Sequence, residues 1–213
     1  LSLLNIALHH DHALVAVDTR ARVMASTPAK VAAAIDGTGE ATKMIHLSSA
    51  NAVLAGRGMP GFLAVVQFFV MLRYCTGFDG LVRDLPGLLP QCWEAFEQQL
   101  RQAGVVDSTA QQAQEVAVVG WSEQQQRMVA VVFAQELAAE GFERFDIVEP
   151  WCTPWFPEMG EPPTLVDEFS MLSTAYRQVE HSAAVMPDMP VGGGLVLARL
   201  TRLGASIERR GEL

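Results

Sequence analysis

Four times along this chain, two short apolar runs flank a polar turn, and that repetition constrains the fold more than any other feature. The first pair is LLNIAL (Leu3 to Leu8) and ALVAVD (Ala13 to Asp18), joined by His9-His10-Asp11-His12. The second is MIHL and AVLAG, around Ser48-Ser49-Ala50-Asn51. The third is EVAVVGW (Glu115 to Trp121) with RMVAVVFA (Arg127 to Ala134), and the last is GGGLVLARL with ASIERR, turning at Thr201 to Gly204. Short apolar runs bounded by turn formers read as strands, and such close pairs read as antiparallel hairpins.

Helices are grouped between the hairpins. One is expected from about Gly61 to Tyr74, with Pro60 suited to its first turn. A second is expected from about Leu88 to Ala103, where Leu89, Cys92, Trp93, Phe96 and Leu100 recur at helical spacing. A third covers Leu165 to His181. GFDGLVRDLPG reads as a connection, FDIVEP as a short strand, and WCTPWFPEMGEPPT, rich in Pro and Trp, as irregular. Thr19 to Thr42 has no clean period and reads as a long excursion, with a short helical piece at Ala29–Ile35.

This order does not fit a parallel βαβ sheet. Many of the strands are apolar on both faces, so each needs a sheet on one side and helices on the other. The expected fold is therefore α+β: a four-layer α-β-β-α sandwich of two antiparallel sheets flanked by helices, in one domain spanning 1–213. Half of the residues are hydrophobic, enough for a sizeable core. A net charge of −9 argues against nucleic acid and anionic membranes as partners. The most apolar run, Gly61 to Leu72, is too short for a span and contains Gln67. No signal peptide is read at the N-terminus. Cys75, Cys92 and Cys152 form no disulfide framework, which suits a reducing cytoplasm. No cofactor is expected. His9, His10 and His12 read as a polar hairpin tip rather than a metal site, and Gly192–Gly194 as a tight turn, since it lacks the lysine and hydroxyl of a phosphate loop.

The element order, together with particular residues, resembles the proteasome β-subunit type of N-terminal-nucleophile (Ntn) hydrolase, which includes the proteolytic subunit of the bacterial two-component ATP-dependent protease. The carrying residues are AVDTR (Ala16 to Arg20), KMIHLSSANAVLAGRG (Lys43 to Gly58), the VAVVGW strand and the Gly-Gly segment before the last hairpin. The resemblance implies a nucleophile sixteen residues before the strand aspartate. Counting back from Asp18 lands on Ser2, a residue of the right chemistry. It further implies Lys43 as the family lysine, charge-balanced by Asp18, and the Gly56 N–H as oxyanion donor. A serine hydroxyl needs a base, and the free α-amine of the nucleophile, with an ordinary pKa of about 8, can serve. As written, Leu1 precedes Ser2, so that amine is expected to appear only after self-cleavage or the action of another protease.

The sequence also departs from the family. A Gly-Ser-Gly-type segment after the third hairpin has no match, one helix is read where the family has two, and the Asp18–Lys43 excursion is longer. Read without the resemblance, Asp18 also fits a strand-end aspartate bonded to its turn, Lys43 a solvated lysine, Ser2 an ordinary strand start, and Gly56 a site of close packing. Two functions stay open. One is a serine-type peptidase or amidohydrolase acting on a peptide or amide; the other is a non-catalytic homologue serving as an oligomeric scaffold. Both imply a homo-oligomer.

Overall fold

In the computed structural model, the described residues are 2–20, 40–59, 61–73, 75–104, 114–135, 141–187 and 191–213. Among these residues, ten strands form two five-stranded antiparallel sheets. The first sheet contains β1 (Leu4–Leu8), β2 (His12–Asp18), β8 (Trp151–Thr153), β9 (Gly194–Thr201) and β10 (Gly204–Glu212), in the order β10-β9-β2-β1-β8. The second contains β3 (Met44–Leu47), β4 (Ala52–Arg57), β5 (Gln114–Ser122), β6 (Arg127–Gln135) and β7 (Glu143–Ile147), in sequential order. Helices α1 (Phe62–Leu72) and α2 (Phe78–Gln102) cover the second sheet, and α3 (Glu168–Val185) covers the first.

Strand periodicity explains why the runs look apolar throughout. On β1 and β2, Leu4, Ile6, Val15 and Val17 face the other sheet, while Ala7, Leu14 and Ala16, with Leu3 just before β1, face α3. On β4 and β5, Val53, Ala55, Ala117 and Val119 face the first sheet, while Ala52, Leu54, Val116 and Val118 face α1 and α2. The four hairpins and the four-layer sandwich follow the sequence expectation.

Two segments differ from it. GFDGLVRDLPG is not a connection, because α2 begins at Phe78 and carries Pro86 and Pro90 within it. An internal proline costs about 3 kcal/mol. Phe78, Leu81, Val82, Leu85 and Leu89 line the buried face and offset that cost. Within WCTPWFPEMGEPPT, Trp151–Thr153 forms edge strand β8, paired with β1 through Ile6↔Trp151 and Leu4↔Thr153. Pro154, which lacks an N–H, follows directly, and Pro157–Met159 is a 3₁₀ turn. Helix α3 starts at Glu168, where Asp167 and Ser170 form a capping box. The helical piece expected at Ala29–Ile35, and Pro60 and Tyr74, lie outside the described residues.

Candidate active site

The β1/β2 register sets Leu4 opposite Val17, which brings the residues before β1 alongside Asp18. The Leu3 N–H donates to Asp18 Oδ1 at 2.7 Å. On the other sheet, Met44 pairs with Ala55, so Lys43 emerges just ahead of β3, across from Gly56. Its side chain reaches between the sheets. Lys43 Nζ donates to Asp18 Oδ1 at 2.9 Å, to Ser2 Oγ at 3.1 Å and to the Arg20 carbonyl at 2.6 Å. These three bonds use all three ammonium protons. Asp18 is fully buried, and Ser2 and Lys43 are each only 9% exposed. Ser2, Asp18 and Lys43 therefore meet as one buried cluster at the seam of the two sheets.

Burial pushes the Lys43 pKa below its ordinary value. The Asp18 carboxylate works against that, while the Arg57 and Arg20 charges add to it. While the Lys43 ammonium donates to Ser2 Oγ, the hydroxyl is an acceptor there and its own proton points elsewhere. Lys43 in this state supplies charge rather than basicity. Asp18 Oδ2 is buried and has no hydrogen-bond partner among the described residues.

Gly56 sits beside the cluster, but its N–H donates to the Lys43 carbonyl at 2.8 Å. A Cβ added there would lie 3.3 Å from Leu63 Cδ1, so the glycine lets α1 approach β4 closely. A cleft lined by Thr42, Lys43, Gly56, Arg57, Gly58 and Gln114 opens next to it. A larger cavity, of about 330 Å³, also has Lys43 in its wall, with Val17, Thr19, Glu40, Met44 and Val196.

Several contacts at the site were not foreseen from sequence. Arg57 Nε donates to the Ser2 carbonyl at 3.0 Å. Glu40 accepts from Thr19 Oγ1 at 2.7 Å and from both Arg209 amino groups, at 2.8 and 2.7 Å, which ties the base of the excursion to β10. Of the expected Gly192–Gly194 turn the structure shows a bend at Gly193, at φ +79°, with Gly194 already opening β9, and a Cβ on Gly194 would fall 2.6 Å from the Arg209 guanidinium. At the first hairpin tip, the His9 and His12 rings stack 4.3 Å apart and His12 Nδ1 lies 2.8 Å from Asp11 Oδ1.

Among solved structures, the chain is similar to Anbu (ancestral beta-subunit) from Yersinia bercovieri, with a TM-score of 0.58 and 12% identity, over 99% of this chain and 87% of that one. The fold is that of a proteasome-like Ntn protein. At this identity the likeness speaks for the fold alone. No protein-family model matches the sequence, and no curated protein matches it.

Proposed function

We propose that this chain is a serine-type Ntn hydrolase, a peptidase or amidohydrolase, with Ser2 as nucleophile once its amine is free. The reading is carried by one observation: a single buried ammonium, Lys43 Nζ, bonded to both Ser2 Oγ and Asp18 Oδ1. In the reaction, the freed Ser2 amine takes the hydroxyl proton as Oγ attacks the substrate carbonyl, then returns it to the leaving amine. Water hydrolyses the resulting ester by the same route. Lys43 stabilises the negative charge as it develops. For Gly56 to serve as oxyanion donor, its N–H must exchange the Lys43 carbonyl for the oxyanion.

That occupied N–H favours a second reading, in which the protein keeps the fold as a non-catalytic oligomeric scaffold. A homo-oligomer is part of both readings. Exposed Phe68, Met71 and Leu72 on α1 support it, and light scattering tests it. Three buried free cysteines support a cytoplasmic location. Among the described residues, no helix is long and apolar enough to cross a membrane.

Intact mass and N-terminal sequencing of untagged protein decide between the two readings. A chain beginning at Ser2 is expected to hydrolyse a substrate in a peptide and amide panel, and Ser2→Ala is expected to abolish that hydrolysis while leaving the fold intact. Activity retained in Ser2→Ala would sink the nucleophile assignment. A retained leader with no activity would favour the scaffold.

A further inference from the structure

We propose that Arg57 is a positioning residue of the Ser2 site: it holds the nucleophile by its backbone and faces Lys43 with a charge anchored by Glu115. Its catalytic meaning rests on the Ser2 reading above; its placement does not.

Arg57 is the last residue of β4 and pairs in register with Glu115 of β5. Its guanidinium divides between two jobs. Arg57 Nε donates to the Ser2 carbonyl at 3.0 Å, and one amino group bonds Glu115 Oε1 at 2.5 Å. A planar fork can do both at once, whereas a lysine presents a single charged point. Glu115 is itself fixed, because its Oε2 accepts from Thr153 Oγ1 at 3.3 Å, and that hydroxyl also lies 3.3 Å from the Leu4 carbonyl. From Glu115 on β5 the contacts pass through Thr153 on β8 to the Leu4 carbonyl on β1, while Arg57 on β4 reaches directly to Ser2, the residue that carries the hydroxyl. The Arg57 and Glu115 side chains are only 21% and 11% exposed, so solvent screens this grip weakly.

The same placement bears on Lys43. Its ammonium bonds Ser2 before β1, Asp18 from β2 and the Arg20 carbonyl after β2, while Arg57 from β4, held by Glu115 of β5, bonds the same Ser2 through its carbonyl and lines the same cleft as Lys43. Asp18 draws the proton onto Lys43, while Arg57 and Arg20 repel it. Arg57 thus offsets part of the Asp18 attraction and fixes the serine against which Lys43 acts.

The chain contains two lysines, Lys30 and Lys43, so its lysine side chains can be followed individually. The test is an alkaline NMR titration of the full chain labelled with carbon-13 at the lysine ε position, the Lys43 signal being the one lost in Lys43→Met. In Arg57→Gln the Lys43 midpoint is expected to move up, because a positive neighbour is gone. In Glu115→Gln it is expected to move down, because Arg57 keeps its charge and loses its counter-ion. Opposite shifts support the proposal. An unmoved midpoint in both variants, or shifts of the same sign, would make Arg57 a structural bridge and overturn it. If Arg57→Gln does not fold, the sign in Glu115→Gln decides alone.

Where the protein hydrolyses a substrate, Arg57→Lys is expected to lower kcat by about tenfold to a hundredfold with KM held, the signature of a misplaced nucleophile. A raised KM at constant kcat would place Arg57 in substrate binding and overturn the positioning role. Opposite Lys43 shifts in a protein without hydrolysis would instead count against the Ser2 reading and leave the placement of Arg57 standing.

Discussion

Replacing Lys43 with methionine tests whether the Lys43–Asp18 pair is as buried and interdependent as it looks. Asp18 is fully buried, and its two hydrogen bonds at Oδ1 come from the Leu3 N–H and Lys43 Nζ, at 2.7 and 2.9 Å. Lys43→Met keeps most of the stem volume but leaves that carboxylate with the Leu3 N–H alone. Breaking a buried pair by removing one partner costs about 3–5 kcal/mol, because the remaining charge is uncompensated. For a chain of this size that corresponds to a fall in Tm of roughly 6–20 °C. Urea unfolding at pH 7 measures the cost directly. The double variant Lys43→Met/Asp18→Asn is expected to recover most of it, since asparagine keeps an acceptor for the Leu3 N–H without the charge. A cost in Lys43→Met below about 1 kcal/mol, the range of exposed ion pairs, would mean that water reaches the cluster. It would remove the physical basis for treating Ser2, Asp18 and Lys43 as one unit.

Three further outcomes follow from other parts of the molecule. Asn5 and Gln178 are fully buried and exchange amide hydrogen bonds at 2.7 and 3.1 Å; Asn5→Ala is expected to cost about 1–3 kcal/mol in urea unfolding, and a neutral result would mean that Gln178 repairs its loss. A Cβ on Gly120 would lie 2.4 Å from the Phe78 ring and 3.1 Å from the Asn51 carbonyl, so Gly120→Ala is expected to destabilise by about 1–3 kcal/mol through overpacking; an unchanged Tm would refute the close approach of α2 to β5. Burial pushes the Cys92 thiol up to about 11 and the Cys152 thiol up to about 12. The unfolded chain loses these protons near 9 while the folded chain keeps them, so stability is expected to fall as pH rises from about 9. Cys152→Ala should flatten that fall between pH 8 and 10; an identical slope would assign it to other groups.

Much of the architecture was legible because most of these strands carry their own evidence. Each of β1, β2, β4 and β5 is apolar on both faces, and only a sheet sandwiched between another sheet and helices satisfies that pattern. The start of α2 was not legible, because Gly80, Pro86 and Gly87 break the local pattern that Phe78, Leu81 and Leu85 follow. β8 was hidden for a related reason: three residues beside Pro154 have no periodicity, and their strand exists because β1 offers an unpaired edge. Ser2, Asp18 and Lys43 were named from spacing and resemblance, and the structure places the Lys43 ammonium within hydrogen-bond distance of the other two. Arg57 and Glu115 were missed. Their partnership depends on the β4/β5 register, and no local pattern encodes it. The one available signal was an arginine closing a buried strand, directly after Gly56.

The cost of holding this cluster also bears on why the protein has it. The space between the sheets is filled by Leu4, Ile6, Val15, Val53, Ala55, Val119 and Val132, a core able to hold the two sheets together by apolar contact alone. Buried ion pairs rarely improve on such packing, since desolvating both charges consumes most of what their attraction returns. The Lys43 environment carries that penalty visibly: burial and the nearby Arg57 and Arg20 charges all work against the proton that Asp18 favours. Stability alone would be served as well by well-packed apolar residues in place of both Lys43 and Asp18. An ammonium held there, with its three protons directed at a carboxylate, a carbonyl and a serine hydroxyl, is a costly arrangement for a scaffold and a useful one for chemistry at Ser2. That asymmetry is the physical reason for preferring the hydrolase over the scaffold, even though the Gly56 N–H is engaged with the Lys43 carbonyl. One backbone hydrogen bond near a strand end is cheap to exchange, whereas a buried charge pair is not cheap to maintain.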